Sequence, residues 1–260
     1  MLPQFKNPPV SEVVIGVFFE TPLAALRPHH VGEWIAKYLP DYDRVQEQPE
    51  VFLPNTQPAF TFFQETPFPR YMLSSHSSAT KIQLQKNAFF VNWQKSDWDE
   101  YPGFDSLTEE FHQKYALFKS FIAEKFELFE LTPFFGDVTY QSVIALPTEG
   151  DPIRGVRTFI PDFNPLLEDE DQNRPSLLQF LVSQPVAEHN TLSTQLRSGQ
   201  RADDPYVHVL ILDLRMQGPF STPGEEGIDE WLQYAHLKLN DKFLRLSDSK
   251  TQTEVWGRVT

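Results

Sequence analysis

The sequence predicts an α+β protein in which a curved antiparallel sheet packs on two long amphipathic helices, in two pseudo-related halves. Three observations lead there. Apolar residues at Leu107, Phe111, Tyr115, Phe118, Ile122 and Phe126 step by three and four, which sets them on one stripe of a helix over 105–129. A second stripe, Ile228, Trp231, Leu232, Ala235, Leu239, Phe243 and Leu246, predicts a helix over 225–246. Each helix follows a group of strand-like segments instead of alternating with single strands, which sets the pattern apart from a parallel sheet. The halves, 1–147 and 148–260, divide around Pro147-Thr148-Glu149-Gly150-Asp151-Pro152 and share a pattern without an exact residue repeat.

In chain order, Val10 to Glu20 is apolar on both faces and predicts a buried strand, ended by Pro22. Val31, Trp34, Ile35 and Tyr38 share a side of a helix over His30–Leu39, stopped by Pro40. From Asp41 to Pro69, Phe52, Phe60, Phe62, Phe63 and Phe68 alternate with Pro in short strands and turns. Arg70–Ser75 and Lys81–Gln94 form a hairpin-like pair, with Asn87 at a tight turn before Phe89, Val91 and Trp93. Ser106 and Glu109 have capping-box spacing and open the first long helix. Pro133 breaks that helix, and Val138–Leu146 forms another strand. In the second half Ile153–Asp162 is strand or loop, Glu168-Asp169-Glu170-Asp171 is solvated, and Ser176–Ser183 is a short helix or strand. Thr191–Arg197 and Tyr206–Arg215 read as strands, Gly218-Pro219 as a turn, and Thr251–Val259 as a strand or helical turn ending in Trp256.

The 260 residues carry 22 Lys and Arg against 36 Asp and Glu, a formal net charge of -14. No basic run offers a footprint for a nucleic-acid backbone, so nucleic-acid binding is disfavoured. An acidic surface suits a basic protein partner through electrostatic steering, and it also keeps a protein in solution. The absence of Cys excludes disulfides, thiolate zinc sites, iron–sulfur clusters and cysteine nucleophiles, and fits a reducing compartment. The start, Met-Leu-Pro-Gln-Phe-Lys-Asn-Pro-Pro, lacks the basic-then-apolar order of a signal peptide. No apolar run approaches the ~20 residues of a membrane helix. The expectation is a cytoplasmic protein with no membrane contact.

Chemistry-bearing patterns are sparse. His29-His30 precedes a helix as an adjacent pair, His112 has no second His at i+4, and His208 faces away from Asp213 by strand period. His236 lies beside the apolar stripe of the last helix. No glycine-rich phosphate loop or Gly-x-Ser-x-Gly elbow is present, and no metal, cofactor or catalytic set is expected. Polar residues within apolar surroundings are more informative. Gln83, Gln85, Asn92, Tyr140 and Gln141 fall on strands, and buried amides need partners. They form an internal network that holds strand register, or they line a pocket between sheet and helix with aromatic walls. With Trp93 and His236, the ligand-binding candidates are Gln83, Gln85, Asn92, Trp93, Tyr140 and His236.

Several short motifs together resemble a sporadically distributed bacterial protein family of unassigned function. They are Pro8-Pro9-Val10 with Glu12, Gln83 and Gln85, Asn92-Trp93, Tyr101-Pro102, Thr139-Tyr140, and His236, Asn240, Phe243 and Trp256 near the end. Ser142 stands where that family usually has asparagine. The resemblance implies a bacterial cytoplasmic protein and carries no activity with it. The functional expectation is a non-catalytic binding or interaction protein with a protein or small-molecule partner. Its variants are a homodimer and an acidic partner in a defence or toxin–antitoxin-like system. The alternative is a small-ligand enzyme using a sheet–helix cavity, with His236, Tyr140 and Asn92 as its polar set.

Overall fold

The computed structural model describes residues 4–53, 68–96, 100–127, 130–146, 156–157, 160, 179–201, 204 and 207–259. The strands are β1 (Gln4–Phe5), β2 (Val10–Phe19), β3 (Arg44–Gln48), β4 (Arg70–Ser74), β5 (Thr80–Gln85), β6 (Ala88–Gln94), β7 (Pro133–Ala145), β8 (Gln179–Pro185), β9 (Thr191–Gln200), β10 (His208–Pro219) and β11 (Arg258–Val259). The helices are α1 (Pro28–Tyr38), α2 (Phe104–Lys125), α3 (Glu226–Leu246) and α4 (Ser249–Glu254). Nine strands form an antiparallel sheet in the order β3-β4-β5-β6-β2-β7-β10-β9-β8, and β1 pairs with β11, so the class is α+β. The chain gathers into two compact units. One comprises Val13–Val138 with Gln217–Leu232, and the other Met1–Glu12, Thr139–Met216 and Gln233–Thr260. No helix among the described residues is long and apolar enough to cross a membrane.

In the first of these units the doubly apolar pattern of β2 has a direct cause. Val13, Ile15, Val17 and Phe19 alternate with Phe18, and all five are buried, so both faces of the strand are covered. Phe19 stacks on Tyr115 and Phe118 of α2, whereas Phe18 meets Phe90 and Phe135 edge to face on the other side. Leu107, Phe111, Tyr115, Phe118 and Ile122, the expected stripe of α2, are all buried, with Phe104 and Phe121 added to it. Phe89 of β6 meets Trp34 of α1 and Phe111, Tyr115 and Phe118 of α2, at centroid distances of 6.2, 6.1, 5.7 and 5.4 Å. Two glycines let large rings lie flat on strands. A Cβ on Gly16 would stand 1.9 Å from Phe90 Cδ1, and one on Gly136 2.3 Å from Trp231 Cε3.

In the second unit, Ala235 and Leu239 of α3 are buried. Phe5, Phe243 and Trp256 form an aromatic cluster with centroids 5.1 to 6.1 Å apart. The Thr251 backbone N–H donates to Asp248 Oδ2 at 2.8 Å and caps α4. Buried Gln252 then donates to Leu244 O at 2.9 Å and accepts from Arg258 Nη1 at 2.7 Å, tying the final residues to the end of α3.

Several expectations need correction. α2 begins at Phe104 after its N-cap Gly103, so Ser106 lies inside the helix and forms no capping box. The helix stops at Lys125, because Phe126 has left helical geometry at φ -125° and ψ 82°. Pro133 does not break α2, which has already ended; it is the first residue of β7, a position where the missing donor costs little. Gly218 and Pro219 end β10, and the turn falls later, where Phe220 N–H donates to Phe134 O (2.9 Å) and Gly224 N–H to Pro133 O (2.8 Å). The tail contains both a helical turn, α4, and a two-residue strand, β11. Phe60, Phe62 and Phe63, the 147–152 boundary, the Glu168–Asp171 cluster and most of 153–162 lie outside the described residues.

Two substitutions follow from this packing. Gly16→Ala must displace the buried Phe90 ring, and equilibrium urea unfolding is expected to show a loss of about 1–3 kcal/mol. The hydroxyl of Tyr115 is buried with no hydrogen-bond partner among the described residues, and burial raises its pKa. Tyr115→Phe removes that unpaired group and is expected to leave stability unchanged or raise it by about 1 kcal/mol in the same measurement.

Candidate functional site

The six candidate residues fall into separate groups. Met72 and Phe90 are the register partners of Gln83, so Arg70 and Asn92 lie one diagonal step away on the same face. Arg70 Nη1 donates to Gln83 Oε1 at 2.6 Å, and Gln83 Nε2 donates to Asn92 Oδ1 at 2.6 Å. Gln83 and Asn92 are buried, so this chain of bonds across β4, β5 and β6 uses polar groups that have no water to turn to. Gln85, also buried, acts differently. Its Oε1 accepts from Val51 N–H and its Nε2 donates to Val51 O, both at 2.9 Å. A side-chain amide thus imitates a strand residue and holds residues 51–53 against the apolar group of Phe18, Ala88 and Phe90. Trp93 points to the opposite face from Asn92 and packs edge-on against Tyr101 at 5.4 Å.

Tyr140 and His236 belong to the second unit. Tyr140 Oη lies 2.8 Å from His236 Nδ1, and Asn240 Nδ2 donates to His236 O at 2.9 Å while standing 3.0 Å from Nδ1. One helical turn separates His236 from Asn240, which explains why the amide can hold the ring. On the other face of β7, Gln141 Nε2 donates to Asp213 Oδ1 at 2.9 Å, and Arg197 Nη2 donates to Asp213 Oδ2 at 2.7 Å. Of the expected enzyme set of His236, Tyr140 and Asn92, the first two bond each other and Asn92 bonds Gln83.

The remaining titratable clusters are also occupied by protein partners. In the first unit a shallow groove between α1 and α2 holds the ion pairs Lys37–Glu124 (2.5 Å) and Lys125–Glu33 (2.7 Å). The lysine hydrogen bonds hold both carboxyls below their ordinary range. His30 Nδ1 accepts from Arg27 N–H at 3.1 Å at the start of α1, and burial and neighbouring His29 lower its pKa. His112 Nε2 lies 2.6 Å from Asp229 Oδ1. Buried Asp137 accepts from Gln217 Nε2 at 2.9 Å. Burial pushes the Tyr42 hydroxyl up to about 12, with Glu110 adding to the shift. No group of three His, Asp or Glu among the described residues is placed to hold a metal ion.

A different kind of feature stands out at β8. All seven of its residues, Gln179 to Pro185, are exposed, although three of them are Phe180, Leu181 and Val182. The sequence pattern left Ser176–Ser183 open between helix and strand. The usable signal is seven residues without a charge that include two of high strand propensity, Phe180 and Val182. Arg70 and Arg197 were missed for a simpler reason, since each partners a strand distant in sequence. No protein-family model and no curated protein matches the chain.

Gln83→Leu tests the amide chain. It leaves the Asn92 carbonyl without its Gln83 donor and is expected to cost about 1–3 kcal/mol by chemical denaturation, with the strand content of the circular dichroism spectrum retained.

Proposed function

We propose that the protein is a non-catalytic interaction protein that engages another protein through β8. The observation that carries this reading is the exposure of Leu181 at 62%, beside Phe180 at 43% and Val182 at 39%, on a terminal strand of the sheet. An exposed apolar strand at the end of a sheet suits strand addition, in which main-chain hydrogen bonds give affinity and side chains give selectivity. The net charge of -14 supports the more specific version, an acidic cytoplasmic partner of a basic protein in a defence or toxin–antitoxin-like system. The candidate residues support it in another way, because Gln83, Gln85, Asn92, Tyr140 and His236 each have a hydrogen-bond partner within the protein.

A second reading, a small-ligand enzyme, draws on the Tyr140–His236–Asn240 cluster. That cluster has a base and a hydroxyl within bonding distance, as general acid–base work requires. It ranks below the interaction reading because its polar groups already bond one another within the protein.

Immobilised wild-type chain and the Leu181→Lys variant, exposed to extract from the source cells, test the leading reading. The expected result is at least one protein held by the wild type and weakened about tenfold by the variant, or ~1.4 kcal/mol. Elution by moderate salt marks a basic partner. Equal retention by both forms, or retention of nothing by either, overturns the proposal.

A further inference from the structure

α1 opens without the usual hydroxyl or carboxylate cap. Arg27, the residue before it, has no side-chain oxygen to offer, and no acidic side chain lies in the first turn. An imidazole takes the place of both. His30 Nδ1 accepts from the Arg27 backbone N–H at 3.1 Å, while the His30 backbone N–H donates to Arg27 O at 3.0 Å. This is the position from which a glutamate or glutamine side chain commonly reaches back to the N-cap donor. The Arg27 guanidinium holds the segment leading into the helix, since its Nη1 donates to Ala24 O at 2.6 Å and to Leu26 O at 3.1 Å. That segment carries two buried residues, Leu23 and Leu26.

An imidazole differs from a carboxylate in accepting a hydrogen bond only while it is neutral. We infer that His30 is an acid-sensitive latch on the start of α1, closed while its ring is neutral and released when the ring takes up a proton. Protonation places a hydrogen on Nδ1 and ends the bond from the Arg27 N–H. It also sets a positive charge beside the positive end of the helix.

The charged and titratable groups around the ring are Arg27, His29 and Glu33 on its own side and Lys125 of α2, where Phe126 also meets the ring edge-on at 5.0 Å. Arg27, His29 and Lys125 oppose a charged ring, and Glu33 alone favours one. Glu33 lies three residues along the helix, within reach of His30, and is paired with Lys125 at 2.7 Å. The bond from Lys125 holds its carboxyl below the ordinary range, so Glu33 stays ionised where His30 titrates. A charged ring is therefore drawn away from Arg27 and toward Glu33. Burial and His29 lower the His30 pKa from its ordinary 6.5, so the fold favours the neutral form. The stability this contributes is present above pH 6.5 and is lost as the pH falls below it.

Hydrogen exchange of the full chain between about pH 7.5 and about pH 5, corrected for the intrinsic pH dependence of exchange, tests this at the amides of residues 23–31. In the wild type, protection there is expected to fall about fivefold on acidification, the size of effect that loss of a helix cap brings. Protection at residues 35–38, beside the Lys37–Glu124 pair, is expected to persist. His30→Glu supplies an acceptor that stays ionised over this range, and its protection is expected to remain high throughout. His30→Ala has no acceptor and is expected to match the acidified wild type at every pH. His29→Gln is expected to keep the fall and move its midpoint to higher pH, because one positive neighbour of the ring is gone. Flat protection in the wild type, or a fall that persists in His30→Glu, overturns the inference. A fall that disappears in His29→Gln assigns the titration to His29 and overturns it as well.

Discussion

The contact on which the first unit depends is the meeting of Phe89 with the rings of α1 and α2. Phe89 is wholly buried and lies against Trp34, Phe111, Tyr115 and Phe118. Aromatic rings fill volume in large rigid pieces, so neighbouring positions must yield in whole methyl groups. Glycine at 16 and 136 is the visible result on the strands, where Phe90 and Trp231 occupy the space a side chain would use. The richness of the chain in phenylalanine, 23 of 260 residues, thus has a geometric reason: broad flat faces are filled with few residues.

Polar groups inside this packing serve register. A strand slipped by one residue would turn Gln83 toward α2 and break both of its side-chain bonds. Gln85 performs a related task on an irregular segment, giving Val51 the two hydrogen bonds that a neighbouring strand would supply. Buried amides of this kind specify one arrangement among several that would bury equal apolar area.

The sequence carried the helices well and the site poorly, for identifiable reasons. Six apolar residues at steps of three and four, from Leu107 to Phe126, have few alternative explanations, and five of them are buried in α2. The start of that helix was misplaced because Ser106 and Glu109 match a capping pattern, whereas the N-cap is Gly103, a residue type that also opens helices. The strands β4, β5 and β6 were legible from period two, and with them the shared face of Gln83 and Gln85. Which residue meets which across strands was not legible. Arg70 bonds Gln83 across 13 positions, and Tyr140 bonds His236 across 96, distances over which local pattern carries no information. The printed bonds of the amides and of the His–Tyr pair are therefore found only in three dimensions.

The two units exchange chain in an unusual place. The passages occur at Glu12–Val13 in β2, Val138–Thr139 in β7, Met216–Gln217 in β10 and Leu232–Gln233 in α3, each within a regular element instead of a connecting loop. A fusion, insertion or circular permutation aimed at any of these four crossings therefore meets hydrogen-bonded backbone instead of a loop.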